Sequence, residues 1–107
     1  MEKRTFYRAN VNANITINTN NRIFNGRLEN ISMGGLYTRI EALESIKEKD
    51  IALITIPLPV KAKKECIVVT GEVTRTTENG IACRFLETDA DTLRALFYLV
   101  YRSDIDN

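Results

Sequence analysis

The sequence predicts an all-β chain: a small antiparallel barrel with one amphipathic helix at its C-terminal end. Three observations lead there. Residues 10–18 alternate between polar and apolar side chains, the period of a half-buried strand. Tight-turn chemistry separates short runs rich in β-branched residues, at Thr19-Asn20-Asn21, Asn30–Gly35 and Glu78-Asn79-Gly80. After residue 88 the apolar period changes from two to that of a helix.

Taken in order, the first strand carries Val11, Ala13, Ile15 and Ile17 on its apolar face. Asparagine tolerates positive φ, so Asn20-Asn21 supports a hairpin into a strand over residues 23–28, with Phe24 and Leu28 on one face. Residues 30–35 read as the next turn and 36–40 as the third strand. The polar stretch 41–50 reads as a loop or a weak helical turn. Residues 50–59 form a fourth strand ended by Pro59, and Lys61–Lys64 a solvated basic loop. Residues 65–77 are a long strand in which Gly71 suggests a bulge, and Asn79-Gly80 is a strong hairpin signal leading into a strand over 81–86. The helix is expected over about residues 89–102, capped by Thr88 or Asp89 and favoured by Asp91 near its positive end. Its apolar face is read as Leu93, Leu96, Phe97, Val100 and Tyr101, laid over the barrel, and residues 103–107 as a frayed tail.

At 107 residues the chain is one domain with enough core to fold without a disulfide or metal. Cys66 and Cys83 sit in apolar runs without metal-type spacing and read as small core residues of a cytoplasmic protein. No stretch is long and apolar enough to cross a membrane as a helix, and no secretory signal is present. The absence of histidine removes Ser-His-Asp and Cys-His catalysis and the commonest zinc ligand, so neither an enzyme nor a metal site is expected. The formal net charge is +1, so any attraction for phosphate must be local.

Two short elements stand out. Arg4-Thr5-Phe6-Tyr7-Arg8 sets two guanidinium forks four residues apart, with Lys3 beside the first. Arginine matches phosphate with parallel hydrogen bonds and can stack on a flat base. Asn30-Ile31-Ser32-Met33-Gly34-Gly35 offers an amide, a hydroxyl and two glycines expected to permit positive φ and close approach of a planar ring. Together they suit a phosphorylated purine.

These elements resemble the two signatures of the PilZ domain, RxxxR and (D/N)xSxxG. Gly71-x-Val73-x-Arg75 and Gly80–Phe85 resemble that family's later strand pair, so the likeness runs from Arg4 to about Arg102. The resemblance implies a six-stranded antiparallel barrel with a C-terminal helix, and a bacterial cytoplasmic receptor for cyclic di-GMP. It implies that Arg4 and Arg8 hold phosphates and at least one of them stacks on a guanine, that Asn30 and Ser32 bond a guanine edge, and that Gly35 keeps the turn tight. Lys3 stands where the family often has a further contact, and Arg75 is a lesser candidate on the barrel wall. Asparagine at position 30 replaces the commoner aspartate; it accepts one bond and donates one.

The expected organisation is a single PilZ-like domain: a mobile arginine-bearing arm over 1–9, a barrel over 10–87 and a helix over 89–102. Ligand would order the arm against the face carrying Asn30 and Ser32. With almost nothing before Arg4, the signal is expected to pass to an unidentified downstream protein or a second copy, the chain being a monomer or homodimer. No other cofactor is expected. The rival readings are an adaptor of the same fold that binds no nucleotide, and a small barrel binding single-stranded nucleic acid. Intact signatures argue against the first; low net charge and few aromatic platforms argue against the second.

Overall fold

The computed structural model describes residues 8–41, 45–59 and 65–102. Six antiparallel strands run in the order β1 (Ala9–Thr19), β2 (Arg22–Ile31), β3 (Gly35–Ile40), β4 (Ile51–Pro57), β5 (Cys66–Thr76) and β6 (Gly80–Phe85). They close into a barrel with the circular order β1-β2-β3-β6-β5-β4. The helix α1 (Ala90–Phe97) follows and widens into a π-helical turn over Tyr98–Arg102. The basic loop expected at Lys61–Lys64 and the tail 103–107 lie outside the described residues.

The alternation of β1 does what period two requires: Ile15 and Ile17 point into the barrel while Asn14 and Asn18 face solvent. Leu28, Ile54, Val69 and Ile81 complete the inner layer, each no more than 2% exposed. The β1–β2 hairpin is a two-residue loop in which Asn20 and Asn21 have φ of 55° and 62°. Those values match the right-handed twist of the flanking strands, which is why asparagine stands there. The Thr77–Gly80 hairpin uses no positive φ; the Thr77 hydroxyl instead accepts from the amides of Asn79 (3.3 Å) and Gly80 (3.1 Å).

Closure between β1 and β4 is brief. Only Thr16–Asn18 pair with Leu53–Thr55, whereas β1 and β2 are paired along most of their length. The helix covers the opening, with α1 against β5 and the π turn against β1. Asp89 caps α1 by accepting from the amide of Thr92 at 2.8 Å. The buried stripe is Leu96, Leu99 and Val100, each at most 2% exposed and each worth roughly 1.5–3 kcal/mol of burial.

Several expectations need correction. Leu93 and Phe97 do not pack on the barrel; they are 43% and 56% exposed. Leu96 and Val100 are buried as expected, Leu99 joins them in place of Leu93 and Phe97, and Phe97 pairs with Tyr101, ring centroids 4.6 Å apart. Cys66 is exposed, because it faces outward opposite Pro57 at the end of β5; only Cys83 belongs to the core. Burial pushes the Cys83 thiol up to about 12, which keeps it protonated and unreactive. Gly71 is not a bulge: it pairs in register with both Ala52 and Phe85. A β-carbon there would stand 3.2 Å from Ile54 Cδ1 and 3.4 Å from Cys83 Cβ, so its place is one of close packing.

The β3–β4 connection is tied down by Asp50. Its carboxylate accepts from the Lys47 amide at 2.8 Å and from the Asn20 amide group at 3.0 Å. The Lys47 backbone bond first, and the Asn20 side chain second, hold its pKa below the ordinary carboxylate value. A depressed carboxylate stabilises the fold above its unfolded pKa, and that contribution disappears as pH falls through the lower folded value. Asp50→Asn is therefore expected to lower the urea midpoint at neutral pH. The gap to wild type should narrow steadily as pH falls below about 4; a gap of constant size down to acid would contradict the role given to the charge.

Candidate functional site

Asn30 lies at the end of β2, not in the turn that follows; the bend covers Met33-Gly34. Its direction is set by a β-bulge. Strand β2 carries one residue more than β3 between the pairs Leu28–Thr38 and Asn30–Tyr37. As a result Leu28 and Ile31, three residues apart, both point inward at 0% exposure, and Asn30 turns to the outer face. The extra residue, Glu29, is held outside by Arg39 at 2.5 Å. Strand β1 has a compensating irregularity between Asn10 and Ala13.

Arg8, immediately before β1, reaches the same face, where its Nη1 donates to Asn30 Oδ1 at 3.5 Å. Lys3 and Arg4 lie outside the described residues. Ser32 is 8% exposed. Its hydroxyl accepts from the Gly34 amide at 3.1 Å and lies 3.4 Å from the Gly35 carbonyl, while its own amide donates to that carbonyl at 2.8 Å. It therefore holds the turn from within.

Gly35 is where the structure departs most clearly from expectation. No described glycine has positive φ. Gly35 pairs with Arg84, and a β-carbon on it would fall 2.2 Å from the Cys83 carbonyl oxygen. The position needs glycine because β6 passes so close, not because the backbone is left-handed.

Arg8, Asn30, Ser32 and Gly35 border one cleft of about 380 Å³ on the outer face, and its far side is formed by Tyr37, Thr74, Arg75, Ala82 and Arg84. Among the described residues no carboxylate lines it, and three arginines do. Arg84 is neutralised by an ion pair with Glu72 from outside the cleft. Tyr37 is fixed through a 2.8 Å hydrogen bond between its hydroxyl and that of Thr77. Arg84 was not foreseen as a wall of the site, and Tyr37 only as an aromatic platform near it; the β3–β6–β5 pairing that brings them there joins strands distant in sequence.

A larger, shallower hollow of about 1220 Å³ is bordered by Asn14, Arg27, Arg39 and Glu78. Its arginines are already engaged, Arg27 with Asn14 at 3.0 Å and Arg39 with Glu29. It contains none of the residues singled out from the sequence, and two glutamates, Glu41 and Glu78, line it. Size therefore gives way to chemistry, and the smaller cleft is the candidate anion site.

Among the described residues no helix is long and apolar enough to cross a membrane, and no group of three or more His, Cys, Asp or Glu could hold a metal ion.

Comparison with solved structures gives the same architecture. The inhibitor of motility MotI/DgrA of Bacillus subtilis superposes with a TM-score of 0.84 at 18% identity, over 100% of this chain and 54% of that one. The present chain thus spans about half the length of that protein. The PilZ domain of YcgR from Escherichia coli, solved with cyclic di-GMP, gives 0.82 at 13% identity, covering 98% of this chain and 94% of that one. The PilZ domain of CeSA from a cellulose-synthesizing bacterium gives 0.74 at 14% identity, over 91% and 97%. No curated protein sequence matches the chain. At such identities the superpositions speak for the fold, a closed six-stranded antiparallel barrel with a C-terminal helix. The sequence itself matches the PilZ domain over residues 2–102. With that match spanning nearly its whole length, the chain belongs to the PilZ domain family.

Proposed function

We propose that this protein is a cyclic di-GMP receptor, the nucleotide occupying the cleft between Arg8 and the Asn30–Gly35 segment. One observation carries the reading: Arg8 and Asn30, far apart in sequence, meet at the mouth of a cleft lined, among the described residues, by arginines and by no carboxylate. Cations suit the two phosphates, and the Asn30 amide suits a purine edge. The solved YcgR domain of the same fold contains cyclic di-GMP, which supports the choice of ligand.

In this reading Arg4 and Arg8 grip phosphate and at least one of them stacks on guanine, Lys3 adds a further contact, Asn30 bonds the base edge, and Ser32 and Gly35 hold the turn on which the base rests. Ser32 contributes mainly by that turn, since its hydroxyl is already engaged there. The chain works as one unit, with an arm ahead of β1, where Ala9 is already paired with Ile31 and buried, then the barrel to residue 87 and the helix over 89–102. Ligand orders the arm against the barrel face, and the new surface is recognised by a downstream protein or a second copy of the chain. The setting is the bacterial cytoplasm, and no catalysis is involved.

The test is calorimetric titration of the protein with cyclic di-GMP, with GMP and cyclic di-AMP as controls. Binding of cyclic di-GMP well above both controls is expected. No heat and no thermal shift with cyclic di-GMP would overturn the proposal and leave a PilZ-fold adaptor acting by protein contacts.

A further inference from the structure

The cleft has a wall that neither signature supplies. In β5 the burial alternates strictly from Ile67 to Val73, so an unbroken strand would turn Arg75 toward the core. It does not, because β5 carries one extra residue, Thr74, between the pairs Val73–Cys83 and Arg75–Ala82. The bulge reverses the phase and sends Arg75 outward. The same device turned Asn30 outward on β2. Two bulges on different strands thus aim two polar side chains at one face.

Register places them in one row. Asn30 pairs with Tyr37, Tyr37 with Ala82, and Ala82 with Arg75. The row spans three strand spacings, roughly 14 Å. Its middle is a small side chain, Ala82, between an aromatic ring and a guanidinium.

The polar groups of this cleft are otherwise committed. Ser32 serves its turn, Tyr37 bonds Thr77, Thr74 donates to the Ala82 carbonyl at 3.2 Å, and Arg84 pairs with Glu72. Arg8 reaches Asn30. Arg75 alone among the cleft's described arginines has no hydrogen bond or ion pair within the described residues, and it is exposed. A guanidinium carries five N–H donors in a rigid plane suited to two coplanar acceptors. Left without a partner among the described residues, it is free to take an anion or a pair of acceptors.

We infer that Arg75 is a ligand-contacting residue that closes the cleft from the side opposite Arg8, taking a paired acceptor of the nucleotide across Ala82. This rests on the cyclic di-GMP reading above. Two chemistries offer such a pair: two phosphate oxygens, or the O6/N7 edge of guanine.

The experiment titrates wild type, Arg75→Ala and Arg75→Lys with cyclic di-GMP and with its 7-deazaguanine analogue. Arg75→Ala should weaken cyclic di-GMP binding about 10-fold, as loss of one charged hydrogen bond does, with the melting temperature of the free protein unchanged. Arg75→Lys should recover only part, since an ammonium cannot bond two acceptors in one plane. An equal loss with both nucleotides assigns the contact to phosphate; a smaller loss with the analogue assigns it to the base edge. Unchanged affinity in Arg75→Ala, with wild type binding normally, overturns this inference and leaves the receptor reading standing. Absence of binding in wild type overturns both.

Discussion

Arg8→Ala is expected to weaken cyclic di-GMP binding about 10- to 100-fold, the loss of one charge-assisted hydrogen bond at roughly 1.5–3 kcal/mol. The free protein should melt at nearly the wild-type temperature. Arg8 is exposed, and its described contact is a long 3.5 Å bond to Asn30, of the kind that adds little stability at a solvated surface. The two readouts must therefore separate: affinity falls and stability stays. Arg8→Lys should restore charge without the planar fork and so regain only part of the loss. Calorimetry showing wild-type affinity in Arg8→Ala would remove the N-terminal cations from the site.

Gly35→Ala should do the reverse, striking the fold first. A β-carbon at this position would fall 2.2 Å from the Cys83 carbonyl oxygen and 3.3 Å from the Arg84 Cα, all backbone atoms of β6 that cannot rotate away. Strands β3 and β6 must then part where Gly35 pairs with Arg84 and where the Phe85 amide donates to the Gly34 carbonyl at 2.8 Å. Overpacking of this kind costs about 1–3 kcal/mol. In a domain of this size each kcal/mol lowers Tm by about 4–8 °C. Thermal unfolding monitored by circular dichroism checks it; an unchanged Tm would mean that β6 does not run where the structure puts it. Any loss of ligand in this variant follows from the altered wall of the cleft.

The helix shows why some of this could be read in advance and some could not. Its existence, its Asp89 cap and its approximate length follow from local chemistry. Its buried phase does not, because Leu93 to Tyr101 is apolar nearly all round. Leu96 and Val100 were legible as buried, but packing added Leu99 to them and left Leu93 and Phe97 exposed. Cys66 illustrates the same ambiguity on a strand: an apolar run says that one face is buried but leaves the end residues undecided.

The site divides in the same way. The residue types at Arg8, Asn30, Ser32 and Gly35 were legible because each carries its chemistry in its own side chain or in the lack of one. The reason for Gly35 was not legible, since close approach of β6 is a contact between segments nearly fifty residues apart, and a glycine needed for space looks in sequence like one needed for a turn. Arg75 was legible as a lesser candidate through the strand-pair resemblance, but the bulge that turns it outward was not.

From the sequence came the six strands, the asparagine hairpin, the helix and the signature residues, because turns, caps and periods are fixed by near neighbours along the chain. Tertiary pairing decided the parity of the bulges at Glu29 and Thr74. That parity settles whether Asn30 and Arg75 face core or solvent, and it is a property of how two strands register against each other, which no single strand contains.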